Sequence, residues 1–508
     1  QPDPASAFRT SERCMNCHSV LKTSSGKDAS IGFEWSASIM ANAAHDPYWL
    51  GSVRREVLDH PQASAAIQNE CATCHMPLQY LQNKAQRHDT GVFSNTHVAA
   101  AAEGVTCTVC HQIQPAGLGT PATANGNFAV APLSTTPRPI YGPFDATDNV
   151  SKVHILAAGY APIQSEVIRQ SELCASCHTL YTTTYDPAGK PIGRLPEQMT
   201  FLEWKHSSFS DKQTCQQCHM PAVDGQAPVS SIMGQPRQGV RSHTFVGANF
   251  LMLALLNTNR NALAVTASPE RLAAAEAATT AYLQSHAARL TVAAPQLSSG
   301  KLAFAVRVEN LSGHKLPTAY PSRRVWLHVI VTAADGHIVF ESGKLNADGS
   351  IAGNANDADP SRYSPHYTTI TAPDQVEIFE PILGDSQDHV TTSVLSATHY
   401  LKDNRILPTG FDKATASPDI AVHGKAADDP AFIAGSASTQ YAVSIANAAG
   451  PFKISAELLY QPIGYRWARN LAAFKADEPQ SFVREFDQAA AHSAVVLAHA
   501  DVTSEAGK

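Results

Sequence analysis

The hydrophobic pattern changes period part-way along the chain. Between residues 290 and 465, Leu302, Phe304, Val306 and Val308 alternate with more polar neighbours, and so do Val325, Leu327, Val329 and Val331. A period of two places successive side chains on opposite faces, so these runs predict half-buried strands. Asp335-Gly336 stands just before His337 to Phe340 and predicts a hairpin turn. Tyr441, Val443 and Ile445, a small-residue turn, then Phe452, Ile454, Ala456 and Leu458 supply a further strand pair. The unit expected is an antiparallel β-sandwich of immunoglobulin-like size.

The chain before it reads differently. Asp46 followed by Pro47 predicts a capped helix over Tyr48 to Leu58, and a second helix is expected through Glu70 into Cys71. Gln114 to Pro143, rich in Gly, Pro, Ala and Thr, predicts an irregular loop. Ser268-Pro269 opens an alanine-rich helix running to Arg289. The tail from Tyr465 onward reads as helical again. The fold class expected is therefore multidomain α+β: a mostly irregular and helical domain over 1–262, a connecting helix over 263–289, the sandwich over 290–465 and a helical extension over 466–508. The length of 508 residues fits about three domain-sized units.

Chemistry enters with the cysteines. All ten fall in one repeated pattern, Cys-x-x-Cys-His: Cys14, Cys17 and His18; Cys71, Cys74 and His75; Cys107, Cys110 and His111; Cys174, Cys177 and His178; Cys215, Cys218 and His219. This is the pattern that attaches haem c. Two thiols three residues apart reach the two vinyl groups of one porphyrin, and the next histidine supplies an axial nitrogen. Disulfides need no histidine after the second cysteine. Structural zinc needs four ligands, and five pairs would leave one pair over. A thioredoxin-like motif is a single pair. The motifs predict five covalently attached haem c groups packed into residues 1–262, with His18, His75, His111, His178 and His219 as proximal ligands.

Composition adjusts this picture modestly. Hydrophobic residues make up 44 % of the chain, charged residues 16 % and aromatic residues 7 %. Porphyrins filling the interior would explain the few large aromatic side chains. A formal net charge of −7, with no Lys- or Arg-rich run, argues against nucleic acid or anionic membrane as partner. Haem c is attached outside the inner membrane, so a periplasmic or extracellular location is expected. The start at Gln1, without a charged-then-apolar leader, fits a signal peptide already removed. Phe250 to Leu256, the longest apolar run, is too short to span a bilayer.

Each iron has a second axial position, and nine further histidines in the first 320 residues compete for it. His243 follows the last motif closely. His314 sits in a Gly- and Pro-bounded turn and is read as the sandwich reaching back to a haem. His97 and His154 come next, with His88, His206, His45 and His60 as runners-up and His286 as a solvent-facing residue. All seven methionines lie between Met15 and Met252. Met40, expected on a helix, is a candidate thioether ligand, with core packing as the plainer role. A weak internal repeat relates Glu34-Trp35-x-x-Ser38-x-Met40 to Glu203-Trp204-x-x-Ser207-x-Phe209, and duplication or a shared local structure would explain it. Asn346 to Asp359 carries hard oxygens suited to calcium, although a solvated loop is the simpler reading.

Several stretches together resemble a family of bacterial exported multihaem, here pentahaem, c-type cytochromes with a C-terminal β-rich domain. They are Trp35 to Ala44 with Asp46-Pro47, Gly104 to Ile113, Ser171 to Leu180, Pro196 to Gln198, Glu203-Trp204 and His243 to Gly247. In the second half they are Gly313 to Thr318, Arg323-Arg324 and Tyr400 to Pro408. The likeness covers most of the chain and implies electron transfer, with no defined substrate. The preferred function is an electron carrier between periplasmic and extracellular redox partners rather than a catalyst. A haem-dependent reductase with one open iron site stays open, as does a homo-oligomer or cytochrome filament subunit. Catalytic triads and phosphate-binding glycine loops are not evident.

Overall fold

A computed structural model describes residues 7–95, 103–445 and 448–505. His97 lies outside these described residues. The chain mixes α and β structure, with sixteen α-helices and several sheets among the described residues, and divides into two compact units. One comprises Gln1–Leu180 with Gln213–Thr279, the other Tyr181–Lys212 with Thr280–Lys508.

Helices of the first unit are short, and the sequence punctuates them. Asp46 accepts a hydrogen bond from the Trp49 amide at 2.9 Å and caps Pro47–Asp59, where Pro47 has no amide left to satisfy. Pro61 follows at once, and a proline restricts the residue before it, so the helix stops by His60. Ser64–His75 carries the second cysteine motif into its last turn. Apolar side chains gather in small local clusters that pin these motifs. Trp49, Val53, Met76 and Val92 surround Ala72 of the second motif, and Phe8 and Leu78 hold Val109 of the third. Residues 114–143 are mostly turns, ending in the strand Arg138–Gly142, which pairs in parallel with Tyr160–Gln164. The apolar run at 250–256 forms the buried helix Phe250–Thr258. No helix among the described residues is long and apolar enough to cross a membrane.

The second unit is built on sheets. One sheet has the order Thr369–Ile370, Ser436–Ser444, Lys301–Asn310, Ala288–Val292, with Gln296–Ser298 added on Lys301–Asn310. The other runs Ile378–Phe379, Arg324–Thr332, Lys453–Gln461, Val495–Thr503, with Ile338–Ser342 on Arg324–Thr332. The alternation seen in the sequence is the burial pattern: Leu302, Phe304, Val306 and Val308 are buried, as are Val325, Leu327, Val329 and Val331. Phe304 stacks on Tyr441 within the first sheet, and Phe340 of the second lies edge-on to Tyr441 at 6.2 Å. The hairpin turns where expected. Gly336 takes φ +89°, a left-handed conformation that costs glycine nothing.

The architecture departs from the sequence reading in three places. Residues 181–212, inside the expected bounds of 1–262, belong to the second unit. They are held by Tyr185 N on Leu395 O at 2.8 Å, Tyr400 OH on Pro196 O at 2.7 Å and Ser208 N on Thr409 O at 2.8 Å. The extension over 466–508 is helical only at first, in Tyr465–Arg469 and Asp477–Ala489. Its last segment is the strand Val495–Thr503, because pairing with Lys453–Gln461 and burial of Leu497 override its weak local preference. The sheets are not wholly antiparallel, since Thr369–Ile370 pairs in parallel with Ser436–Ser444. In the Asx-rich stretch, Arg324 takes both oxygens of Asp357, at 2.7 and 2.9 Å. Among the described residues no group of three or more His, Cys, Asp or Glu side chains converges on a metal-ion site.

Candidate haem sites

Positions i, i+3 and i+4 of a helical turn share one face. Two cysteines three apart and the next histidine therefore point the same way once the turn is helical. Cys14, Cys17 and His18 lie on Glu12–His18, Cys71, Cys74 and His75 on Ser64–His75, and Cys215, Cys218 and His219 on Cys215–His219. Cys107–Cys110 is one turn with His111 as its C-cap. In the fourth motif the amides of Cys177 and His178 both bond the Cys174 carbonyl, at 3.2 and 2.9 Å. Local sequence explains the fifth turn: Thr214 and Gln217 form a reciprocal capping box.

The ten cysteines stand as separate thiols, each half-buried. Burial nevertheless pushes the Cys110 thiol up to about 12. A hydrogen bond to Cys215, then burial, holds Cys174 well above the thiol range.

Four motif histidines direct Nδ1 at a backbone carbonyl: His18 at Val229 (2.5 Å), His75 at Ala43 (3.2 Å), His111 at Tyr141 (2.6 Å) and His219 at Val246 (2.6 Å). A carbonyl can only accept, so Nδ1 carries the proton and the lone pair lies on Nε2, facing the opposite way. This is the outer contact that orients a metal-bound imidazole. Burial lowers all four pKa values, that of His75 to about 4, and keeps the rings neutral as ligation requires. Trp49 stacks flat on His75 at 4.4 Å.

Two of the candidate second ligands face motif histidines. His154, on the helix Asp148–Ala158, turns Nδ1 to Tyr160 O at 2.8 Å, and its ring centre lies 6.5 Å from that of His18. His243 turns Nδ1 to Arg241 O at 3.1 Å, and its ring centre lies 6.4 Å from that of His111. Burial lowers its pKa to about 4. An iron shared by two imidazoles sets their centres roughly 6.3 Å apart, from metal–nitrogen distances of about 2.0–2.1 Å and ring radii of about 1.1 Å. The donors present fit the group.

The other candidates are placed as follows. His314, in the second unit, turns Nδ1 to the Lys315 carbonyl at 2.9 Å. His206 does the reverse, spending Nε2 on Asp412 O at 3.0 Å. His88 is exposed, His60 is buried at a helix end, and His45 lies in the short turn Ala43–His45. Met40 is not helical: the helix ends at Ser36, and the Met40 carbonyl accepts from Val105 N at 2.9 Å in the turns beyond it.

Two carboxylates not singled out as site residues hold the loops that carry the candidates His243 and His314. Glu34 Oε2 accepts from the His243 amide at 2.8 Å. Glu203 Oε2 accepts from the Lys315 amide at 3.1 Å and from Thr318 Oγ1 at 2.6 Å, beside His314. These are the two glutamates of the Glu-Trp repeat, so the repeat was the available signal. Around Glu203, Arg405 pairs with it at 3.0 Å, and Asp403 bonds Lys315 Nζ at 2.6 Å, all of them buried. Against the cost of burial, Arg405 and Lys315 hold the Asp403 carboxyl well below the carboxylate range.

No family model matches this chain, and no curated protein matches it. Among solved structures it is similar to the crystal structure of a penta-heme cytochrome c552 from Thermochromatium tepidum. The TM-score is 0.51 at 17 % identity, covering 98 % of this chain and 99 % of that one. The chain has a multihaem-cytochrome-like fold.

Proposed function

We propose that this chain carries five covalently attached haem c groups and relays electrons through them. The observation that carries the reading is the pairing of imidazoles, His18 with His154 and His111 with His243, at the spacing one iron would set. Cys14, Cys17, Cys71, Cys74, Cys107, Cys110, Cys174, Cys177, Cys215 and Cys218 are the attachment residues, and the histidine ending each motif is the proximal ligand. His154 and His243 are second ligands, with His314, His97 and Met40 the remaining candidates. The bound group supplies one-electron chemistry at iron. The protein keeps the imidazoles neutral, fixes their tautomers through backbone carbonyls and closes the second side of an iron with a second ring. Two protein ligands per iron favour electron transfer over substrate binding.

The similarity to a penta-heme cytochrome supports this reading. We further infer that the two main sheets of the second unit form an immunoglobulin-like sandwich with no haem of its own. Attachment of haem c implies export, so the chain works in the periplasm or outside the cell, between redox partner proteins or toward an extracellular acceptor. Assembly as a homo-oligomer or filament is compatible with it. Coulometric titration tests the proposal: five electrons should enter each chain reversibly, and carbon monoxide should bind fewer irons than that. Uptake of fewer electrons contradicts it, and a single iron that binds carbon monoxide and shifts with a small oxyanion would replace it with the reductase reading.

A further inference from the structure

A second repeat surrounds the cysteine motifs. Ser11-Glu12-x-Cys14 and Ser171-Glu172-x-Cys174 open the first and fourth alike, and Thr106-Cys107 and Thr214-Cys215 open the third and fifth alike. The fold docks each member of the first kind on one of the second. Ser11 Oγ accepts from the Cys107 amide at 3.4 Å, and Ser171 Oγ accepts from the Cys215 amide at 3.1 Å. The residue after that cysteine is buried in both cases and grips the chain just before the serine. Thr108 Oγ1 donates to Arg9 O at 2.8 Å, and Gln216 Nε2 donates to Gln170 O at 2.7 Å. Each junction therefore sets the first cysteine of one motif beside that of the other, Cys14 near Cys107 and Cys174 near Cys215, because the serine that holds the second cysteine's amide stands three residues ahead of its own.

The second motif joins at a different place. Gly126, at φ +71°, lies against the second and fourth motifs together. Its amide donates to Ser176 O at 2.6 Å, and a Cβ built on it would stand 2.5 Å from Thr73 Cγ2 and 3.6 Å from Cys74 Sγ. Ser176 is the neighbour of Cys177, so Gly126 brings Cys74 and Cys177 to the same place. A thioether fixes a porphyrin edge at its sulfur, so motifs whose cysteines are neighbours would hold their porphyrins as neighbours.

We propose that the cofactors stand as two equivalent pairs, first with third and fourth with fifth, and that the second stands beside the fourth. This rests on the haem reading above and adds a spatial order that differs from the order in the chain. The second cofactor, although its motif lies between the first and third in sequence, is outside their pair. Electrons held at the first exchange soonest with the third, and those at the second and fifth exchange soonest with the fourth.

Iron positions in crystals of the holoprotein, located by anomalous scattering and assigned through their cysteine attachments, test this order. The nearest neighbour of the first iron should be the third, and that of the second and fifth should be the fourth. A fifth iron nearest any other, or a first iron nearest the second, overturns the order and leaves the haem reading standing. Absence of iron at the motifs overturns both. In solution, the paramagnetic proton spectrum of a Cys215→Ala, Cys218→Ala double variant should show displaced methyl signals for one remaining haem. Displacement spread equally over all four contradicts the pairing.

Discussion

The imidazoles of His111 and His243 lie 6.4 Å apart with planes 13° from parallel, whereas those of His18 and His154, at 6.5 Å, are inclined by 62°. Both pairs have the same source. Each ring is oriented by a backbone carbonyl on Nδ1: far along the chain for the motif histidines, Val229 for His18 and Tyr141 for His111, and close by for their partners, Tyr160 for His154 and Arg241 for His243. Loop placement thus sets the angle between the two rings of each pair, and on the proposed haem reading two irons held by the same kind of ligands would be electronically distinct.

Removing one ring of a pair should open one iron. In His243→Ala, and separately in His154→Ala, the oxidised protein should gain one high-spin haem and bind one more equivalent of carbon monoxide. Covalent haem content should not change. Electron paramagnetic resonance and carbon monoxide titration read the change, and an unaltered spin state would show that the ring is not a ligand.

Glu203 is buried against Arg405, the Lys315 amide and Thr318. Glu203→Ala leaves the Arg405 and Lys315 cations short of one carboxylate and should destabilise the second unit by about 3–5 kcal/mol. Glu203→Gln keeps an acceptor for the Lys315 amide and should cost less. Urea unfolding followed by tryptophan fluorescence compares the two, and equal, negligible losses would remove Glu203 from its bracing role.

Local signals were legible in the sequence where one segment decides its own structure. The motif turns, the Asp46 cap, the turn at Gly336 and the alternation over 302–308 and 325–331 are of this kind. What could not be read depends on partners far along the chain. The Val495–Thr503 strand exists because Lys453–Gln461 offers an edge. Residues 181–212 join the second unit through hydrogen bonds to 395, 400 and 409. His206, a runner-up to His243, His314, His97 and His154 in the sequence reading, spends its Nε2 on the Asp412 carbonyl, a partner that lies 206 residues along the chain. The carbonyls that orient the rings carry no side-chain signature at all.

The second unit should also respond to pH. Burial acts to lower the pKa of His366, but hydrogen bonds to Glu377 at 2.6 Å and Asp429 at 2.9 Å outweigh it and raise the value above 6.5. A folded-state pKa above the unfolded one contributes stability that is complete below the unfolded value and is lost as pH rises through the folded value. The melting temperature of the second unit should therefore fall as pH rises through and above the ordinary imidazole range, and His366→Gln should flatten the slope. A wild-type slope unchanged in the variant would assign the effect to another group.

The mass of the intact, denatured holoprotein is the most direct measurement of all. Thioether bonds survive denaturation, so the account predicts a mass equal to the polypeptide plus five haems, with the absorption of reduced haem c. A mass matching the bare chain, or one carrying any other number of haems, would contradict it.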